Sequence, residues 1–175
     1  AVTGFSAAAQ EAVYLIRHCE KELTGADPAL TPAGRQRAAD WAEMLQHVGL
    51  DAIITSDASR TQQTGGIIAS KLGLRSNAIP RNDAAGLVDV LEFDHEEDTV
   101  LIVAHAETIP RILQRLGVRK DVIIDQSEFA NLFVVLVCIN TSLKGKALIT
   151  APLIKSFSTS FLPFKRSILQ DYFLI

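Results

Sequence analysis

The sequence predicts one α/β domain, a three-layer α/β/α sandwich whose central sheet is mostly parallel and ends in an antiparallel C-terminal edge hairpin. Three observations support this prediction. Short apolar runs typical of buried strands alternate with segments of helical periodicity. The chain has 175 residues, which suits a single domain. The last two apolar runs are separated only by a turn-like stretch, which indicates a hairpin.

The elements are expected in a regular order along the chain. Thr31 before Pro32 is typical of a helix start, because threonine can cap the helix and proline favours its first turn. Gly73 is typical of a helix end. The expected elements are a strand at about 12–17, a helix at 32–48, a strand at 51–56, a helix at 58–72, a weak strand at 75–80, a helix near 83–93, a strand at 98–105, a helix at 107–116, a strand at 131–139 and, after a turn at 141–146, its partner at 147–154.

Two terminal segments are set apart from the domain, which we place at 12–155. In the leader, residues 1–11, the small residues at 7–9 before Gln10 are typical of the end of a signal peptide, so a periplasmic or exported protein is favoured over a cytoplasmic one. An unstructured leader or a cloning remnant is the alternative. Residues 156–175 form an aromatic-rich tail that packs on the domain or at an interface. The sequence leaves this choice and the oligomeric state open.

Composition and spacing exclude several function classes. The net charge is −3 and the basic residues are scattered, so no nucleic-acid partner is expected. No apolar run reaches the ~18 residues of a membrane span. No spacing suggests a metal site, and we expect no cofactor. Cys19 and Cys138 do not make a disulfide framework. Cys19 also lacks the arginine six positions on that a cysteine phosphatase needs, because Gly25 stands there.

Cationic and imidazole side chains follow three of the predicted parallel strands. Arg17 and His18 end the first strand, Arg60 follows the second by one turn, and His105, with Glu107 after it, ends the fourth. Parallel sheets bind ligands beyond the carboxyl ends of their strands, so these side chains should converge. Two guanidinium groups and two imidazoles suit a tetrahedral dianion such as a phosphoryl group. An imidazole nitrogen can also attack phosphorus.

Four sequence blocks carry these residues: YLIRHCEK, DPALTPAGRQRA, DAIITSDASRTQQT and LIVAHAETIPRIL. They resemble the histidine phosphatase superfamily, which is phosphoglycerate mutase-like, and in particular its small bacterial phosphatases. The likeness spans about 12–151 and implies a metal-independent phosphatase that acts on a phosphorylated small molecule or a phosphoprotein. It implies that His18 is the nucleophile that becomes phosphohistidine, and that Arg17, Arg60 and His105 bind the phosphoryl oxygens.

The chain departs from the superfamily's pattern in two places. Cys19 stands where glycine or alanine is usual, and it should lie against the reacting imidazole. The insertion that usually carries an acid is short, so Glu107 beside His105 is the better candidate for the general acid and Asp83 the weaker one. Two alternatives to a phosphomonoesterase therefore stay open: a protein phosphohistidine phosphatase, and a non-catalytic domain that binds a phosphoryl ligand in the same pocket.

Overall fold

The chain alternates between strand and helix and then ends in two consecutive strands. The structure, a computed structural model, describes residues 11–140 and 143–152. Within this part of the chain the elements are β1 (Glu11–Arg17), α1 (Pro32–Leu45), β2 (Ala52–Ser56), α2 (Ser59–Leu72), β3 (Ser76–Ile79), α3 (Ala84–Asp94), β4 (Val100–Ala104), α4 (Ile109–Arg115), β5 (Asn131–Asn140) and β6 (Leu143–Pro152).

All six strands form one sheet with the order β3–β2–β4–β1–β5–β6. The neighbours β3–β2, β2–β4 and β4–β1 pair in parallel. The pairs β1–β5 and β5–β6 are antiparallel, so the hairpin occupies one edge. The predicted fold class, a mostly parallel sheet with an antiparallel C-terminal hairpin, is confirmed.

Two helices cover each face of the sheet. Leu15 and Ile16 are adjacent in β1 and have no exposed surface, because successive side chains of a strand point to opposite faces. Ile16 shares a core cluster with Trp41 of α1 and with residues of α2. Leu15 shares the other cluster with Leu87 of α3 and with residues of α4. These two cores, one on each side of the sheet, make the three layers of the predicted sandwich.

The register of the central strands brings two strand ends level with each other. Arg17, the last residue of β1, pairs with Ala104, the last residue of β4. The backbone N–H of His18 then donates to the carbonyl oxygen of Ala104 at 2.9 Å. His18 and His105 therefore leave the sheet from neighbouring strands at the same height.

Close packing between α2 and β2 sets the position of the third strand end. A Cβ atom on Gly65 would collide with Cγ2 of Thr55, so glycine is needed for the helix to lie this close to the strand. Only Asp57 and Ala58 separate β2 from α2. Arg60 is therefore placed in the first turn of α2, directly above the carboxyl end of β2.

The structure differs from the predicted boundaries at α4. The helix begins at Ile109, not at residue 107. Thr108 closes a preceding turn, because its Oγ1 accepts the backbone N–H of His105 at 3.1 Å, and Pro110 then occupies the first turn of the helix. Glu107 consequently lies in that turn and not at a helix start.

The hairpin and the chain ends also differ from expectation. Asn140 pairs with Leu143, so strand pairing resumes four residues earlier than the predicted start at 147. The ten residues of β5 are matched by a partner of equal length, which draws 143–146 out of the expected turn and into β6. Glu11, assigned to the leader, is the first residue of β1. Residues 1–10 and the tail at 156–175 lie outside the described residues.

Candidate active site

The structure brings together the four side chains that the sequence singles out. The ring centroids of His18 and His105 are 5.3 Å apart. Nη2 of Arg60 lies 3.2 Å from Nδ1 of His105. Arg17 precedes His18, and all four residues are at most 9% exposed. Two cations and two imidazoles thus form one buried cluster at the carboxyl end of the parallel strands.

His18 is oriented by its own backbone neighbour. Its Nδ1 lies 2.8 Å from the carbonyl oxygen of Cys19. A carbonyl can only accept, so Nδ1 carries the proton and Nε2 keeps a free lone pair. Burial lowers the pKa of His18 to about 4, and the charges of Arg17 and Arg60 add to this effect. The ring is therefore neutral near pH 7, which is the state that can act as a nucleophile.

Arg17 is held by a loop that sequence reasoning missed. Its Nη1 donates to the carbonyl oxygens of Asp125, Gln126 and Glu128 at 3.2, 2.8 and 2.9 Å. Its Nη2 donates to Oε1 of Gln126 at 3.1 Å. The ring of Phe129 covers the guanidinium, with its centroid 4.0 Å from Cζ. The loop at 125–129 therefore fixes the plane of the guanidinium.

Asp27 is a second residue that sequence reasoning missed. Its carboxylate accepts the backbone N–H of Ser59 at 3.0 Å, and so caps α2 from the loop between β1 and α1. Ala58, the formal N-cap of α2, provides no side-chain bond. The same carboxylate lies 3.6 Å from Nη1 of Arg60, so it restrains that guanidinium from the solvent side.

Two of the unpartnered buried donors belong to the arginines of the cluster. Among the described residues, the buried side-chain N and O atoms without a hydrogen-bond partner are Nε of Arg17, Nε of Arg60 and Nε1 of Trp41. A buried donor left unpaired is costly, so its presence in a site calls for an explanation. An oxyanion that accepts from both guanidinium groups supplies one for the two arginines.

The two candidate acids have different surroundings. Oε1 of Glu107 lies 2.6 Å from Nη2 of Arg81, and the carboxyl side chain is about half exposed. Burial raises the pKa of Glu107, but its own backbone N–H and the charges of His105, Arg81 and Arg60 together hold it below its usual range. Oδ1 of Asp83 accepts the N–H of Gly86 at 2.8 Å, so Asp83 caps α3.

Cys19 belongs to the core between the sheet and the helices α1 and α2. The residue has no exposed surface, and its backbone N–H donates to Oγ1 of Thr64 at 3.1 Å. Burial raises the pKa of its thiol to about 12. The sulfur is therefore a neutral packing atom at neutral pH, and thiolate chemistry is not favoured there.

A metal-ligand cluster and a membrane-spanning helix are both absent from residues 11–140 and 143–152. No group of three or more His, Cys, Asp or Glu side chains could hold a metal ion there. None of the helices described is long and apolar enough to cross a membrane.

The fold and the cluster define a class of protein: an α/β/α sandwich in which two arginines and two imidazoles meet beyond the carboxyl ends of the parallel strands. The family model of the histidine phosphatase superfamily (branch 1) matches residues 13–82. The "Probable phosphoglycerate mutase GpmB" of Enterobacter sp. (strain 638) is 43% identical over 68 residues, which are 35% of this chain and 32% of that protein. The protein of the same name from Yersinia enterocolitica is 40% identical over 76 residues, 39% of this chain and 35% of the relative. The match spans about a third of the length of these curated relatives.

Solved structures share the fold at low sequence identity. A mycobacterial glucosyl-3-phosphoglycerate phosphatase aligns with a TM-score of 0.62 and 12% identity, over 82% of this chain and 99% of that one. A provisionally named phosphohistidine phosphatase SixA from Agrobacterium tumefaciens aligns with a TM-score of 0.57 and 21% identity, over 74% of this chain and 96% of that one. The solved structures show that the fold is shared, and the family-model match and the curated relatives confirm the resemblance to the histidine phosphatase superfamily.

Proposed function

We propose that this protein is a metal-independent phosphatase that hydrolyses phosphomonoesters through a phosphohistidine intermediate on His18. One observation carries the proposal most strongly. A neutral imidazole with its Nδ1 anchored lies in a buried cluster whose two arginines each keep an unpartnered Nε–H. Such a cluster supplies a nucleophile and guanidinium donors for a transferring phosphoryl group.

The proposed reaction has two displacements at phosphorus. In the first, Nε2 of His18 forms a bond to phosphorus while the bond to the ester oxygen breaks. Arg17, Arg60 and His105 stabilise the charge on the three remaining oxygens. In the second, water attacks the phosphohistidine and the N–P bond breaks, which releases inorganic phosphate and restores the imidazole. Glu107 is the group we assign to proton transfer at the leaving oxygen and at the attacking water.

The ion pair with Arg81 favours one class of leaving group. Because Glu107 is ionised near neutral pH, it is a weak acid catalyst for an alkyl ester, whose alkoxide needs a proton. Aryl phosphates need this proton less. Phosphohistidine also needs it less, because the imidazole that leaves can already carry a proton on its second nitrogen. This observation keeps a protein phosphohistidine phosphatase as the second candidate function.

A substrate panel tests the proposal. Purified protein is assayed with p-nitrophenyl phosphate, an alkyl phosphomonoester and a phosphohistidine peptide, each with and without EDTA. We expect turnover that EDTA leaves unchanged and that His18→Ala abolishes. Rapid acid-free quenching with labelled substrate should trap an acid-labile phosphoryl group on His18. Turnover retained in His18→Ala would contradict the nucleophile assignment, and phosphate binding without turnover of any substrate would favour the non-catalytic alternative.

A further inference from the structure

We infer that Ser56 and Thr61 are positioning residues for His105, because hydrogen bonds through their hydroxyl groups, together with the contact from Arg60, fix which ring nitrogen of His105 carries the proton. The importance of His105 to phosphoryl binding rests on the proposed function. Ser56, Thr61 and His105 are 8%, 0% and 1% exposed. Water therefore does not compete for the hydrogen bonds between them. The sequence pointed to Ser56 only as a strand end and did not point to Thr61.

Arg60 sets the direction of the hydrogen bonds that run from His105 through Ser56 to Thr61. A guanidinium group can only donate, so the 3.2 Å contact between Nη2 of Arg60 and Nδ1 of His105 requires that Nδ1 be unprotonated. The single proton of the neutral ring must then be on Nε2. Nε2 lies 2.9 Å from Oγ of Ser56 and donates to it.

The two hydroxyl groups complete the chain without a free donor. Oγ of Ser56 accepts from Nε2 of His105 and also from the backbone N–H of Ala58 at 3.3 Å. With both lone pairs used, its own proton points to Oγ1 of Thr61 at 2.7 Å. Thr61 in turn donates to the carbonyl oxygen of Ala58 at 2.7 Å. Every proton in this series of hydrogen bonds therefore has an acceptor, and the hydroxyl of Thr61 has a second one in the carbonyl oxygen of Ser56 at 3.1 Å.

This arrangement confines proton exchange to one nitrogen. Nε2–H donates to Ser56 whether the ring is neutral or protonated, so only Nδ1 gains or loses a proton. Nδ1 is the nitrogen beside Arg60. We expect His105 to donate to a bound anion only after Nδ1 has taken up a proton, because the neutral ring has no free N–H. The charged and titratable groups that act on His105 are Arg60, His18, Arg81 and Glu107.

Nuclear magnetic resonance of protein labelled with nitrogen-15 in histidine tests the inference directly. In the unsubstituted protein near pH 7, His105 should show one tautomer, with a protonated Nε2 and an unprotonated Nδ1. Ser56→Ala should give a mixture of tautomers, and Thr61→Val should shift the Nε2 proton signal, because the Ser56 hydroxyl is then free to turn. Ser56→Thr keeps a hydroxyl and should restore the single tautomer.

Kinetics supply a second readout, and Thr55→Val supplies the matched control. Thr55 is the residue before Ser56, is buried on the opposite face of the sheet and bonds only toward β3. Ser56→Ala should lower kcat/KM for p-nitrophenyl phosphate by about ten- to a hundredfold, since small misplacements of a catalytic group have effects of this size. Thr55→Val should leave both the tautomer and kcat/KM unchanged.

The outcomes separate this inference from the proposed function. A single Nε2–H tautomer and unchanged kinetics in Ser56→Ala would overturn the positioning role. If Ser56→Ala does not fold, Thr61→Val and Ser56→Thr carry the same comparison. If the unsubstituted protein shows no phosphatase activity, the proposed function fails. The tautomer of His105 and its response to Ser56→Ala still decide whether the hydroxyl chain positions the ring.

Discussion

Nδ1 of His18 lies 2.8 Å from the carbonyl oxygen of Cys19, the residue that follows it. The orientation of the proposed nucleophile is thus set by the backbone at the end of β1 and not by a distant side chain. Cys19 in turn is tied to α2 through Thr64. Substitutions elsewhere in the cluster should therefore change how the phosphoryl group is bound while leaving the free lone pair of His18 in place.

The two buried imidazoles should make the protein less stable in mild acid. Burial lowers the pKa of His18 to about 4 and that of His105 to about 3, with the charge of Arg60 contributing to both. The unfolded chain binds these protons near pH 6.5, so the free energy of unfolding should fall as pH drops below 6.5, by up to about 1.4 kcal/mol per pH unit for each group. Urea unfolding at pH 7 to 5 measures this loss.

The buried histidines and the carboxylates lose their stabilising contributions in different pH ranges. Groups such as Asp27 and Glu20, whose pKa values are lowered in the fold, stabilise it above their unfolded pKa values near 4, so their contribution is still present at pH 5. A His105→Asn variant should lose less stability between pH 7 and 5 than the unsubstituted protein. Equal losses would show that His105 does not titrate abnormally.

Arg60 should be irreplaceable by lysine. Its guanidinium contacts His105 with Nη2, lies near Asp27 with Nη1 and keeps Nε–H unpartnered, which is a geometry that one ammonium group cannot reproduce. Arg60→Ala should lower kcat by on the order of 10²–10³, and Arg60→Lys should recover less than about tenfold of it. Steady-state assays measure both, and Arg35→Ala on the exposed face of α1 is the matched control. Full activity in Arg60→Lys would contradict this geometry.

The loop that holds Arg17 should influence phosphate affinity. Phe129→Leu removes the ring over the guanidinium, an interaction worth about 0.5–2 kcal/mol. Gln126→Ala removes the side-chain acceptor at Nη2. Each of these two substitutions should raise the competitive inhibition constant of inorganic phosphate several-fold. Ile123→Ala, at a fully exposed position in the same connection, should leave the inhibition constant unchanged. Equal effects of all three substitutions would argue against a specific role of this loop.

The sequence predicted the four cluster residues because parallel strands in register bring their carboxyl ends to one edge, whatever the loops do. It could not predict the partners of Nη1 of Arg17, since these are backbone carbonyl groups more than a hundred positions away and carry no residue-type signal. The capping of α2 by Asp27 was hidden for a similar reason, because the cap comes from another loop and not from the preceding residue. The start of α4 was misplaced because the Thr108 side chain closes the turn after His105 before the helix begins.

Cys19 should behave as an inert core residue. Its thiol is fully buried and its pKa is raised to about 12, so the reactive thiolate is absent at neutral pH. In a Cys138→Ser background, iodoacetamide should modify Cys19 only when the protein is unfolded by urea. Cys19→Ala should lower the free energy of unfolding by about 1 kcal/mol and change kcat less than twofold. Rapid alkylation of the folded protein with loss of activity would instead support a redox or regulatory role.

Substitution of Glu107 should have effects that depend on the leaving group. Glu107→Gln should leave kcat/KM for p-nitrophenyl phosphate within about threefold but lower kcat/KM for an alkyl phosphate by on the order of 10²-fold at acidic pH, where Glu107 carries its proton. This parameter reports the first displacement, in which only the alkoxide needs a proton. Asp83→Asn is the matched control, since asparagine caps α3 as well as aspartate does and both substrates should be unaffected. If Asp83→Asn shows the leaving-group dependence and Glu107→Gln does not, Asp83 is the acid.

The substitution Arg81→Ala also tests the assignment of Glu107 as the proton donor. The charge of Arg81 helps to hold the pKa of Glu107 below its usual range, so Arg81→Ala should raise that pKa. Proton donation requires the protonated carboxyl and is lost as pH rises through its pKa. The high-pH limb of kcat/KM for an alkyl phosphate, which reports the first displacement, should therefore move to higher pH in Arg81→Ala, while the kcat/KM profile for p-nitrophenyl phosphate stays in place. A shift of both profiles by the same amount would indicate that Arg81 acts on the cluster as a whole, through His105 or Arg60, and that Glu107 does not donate the proton.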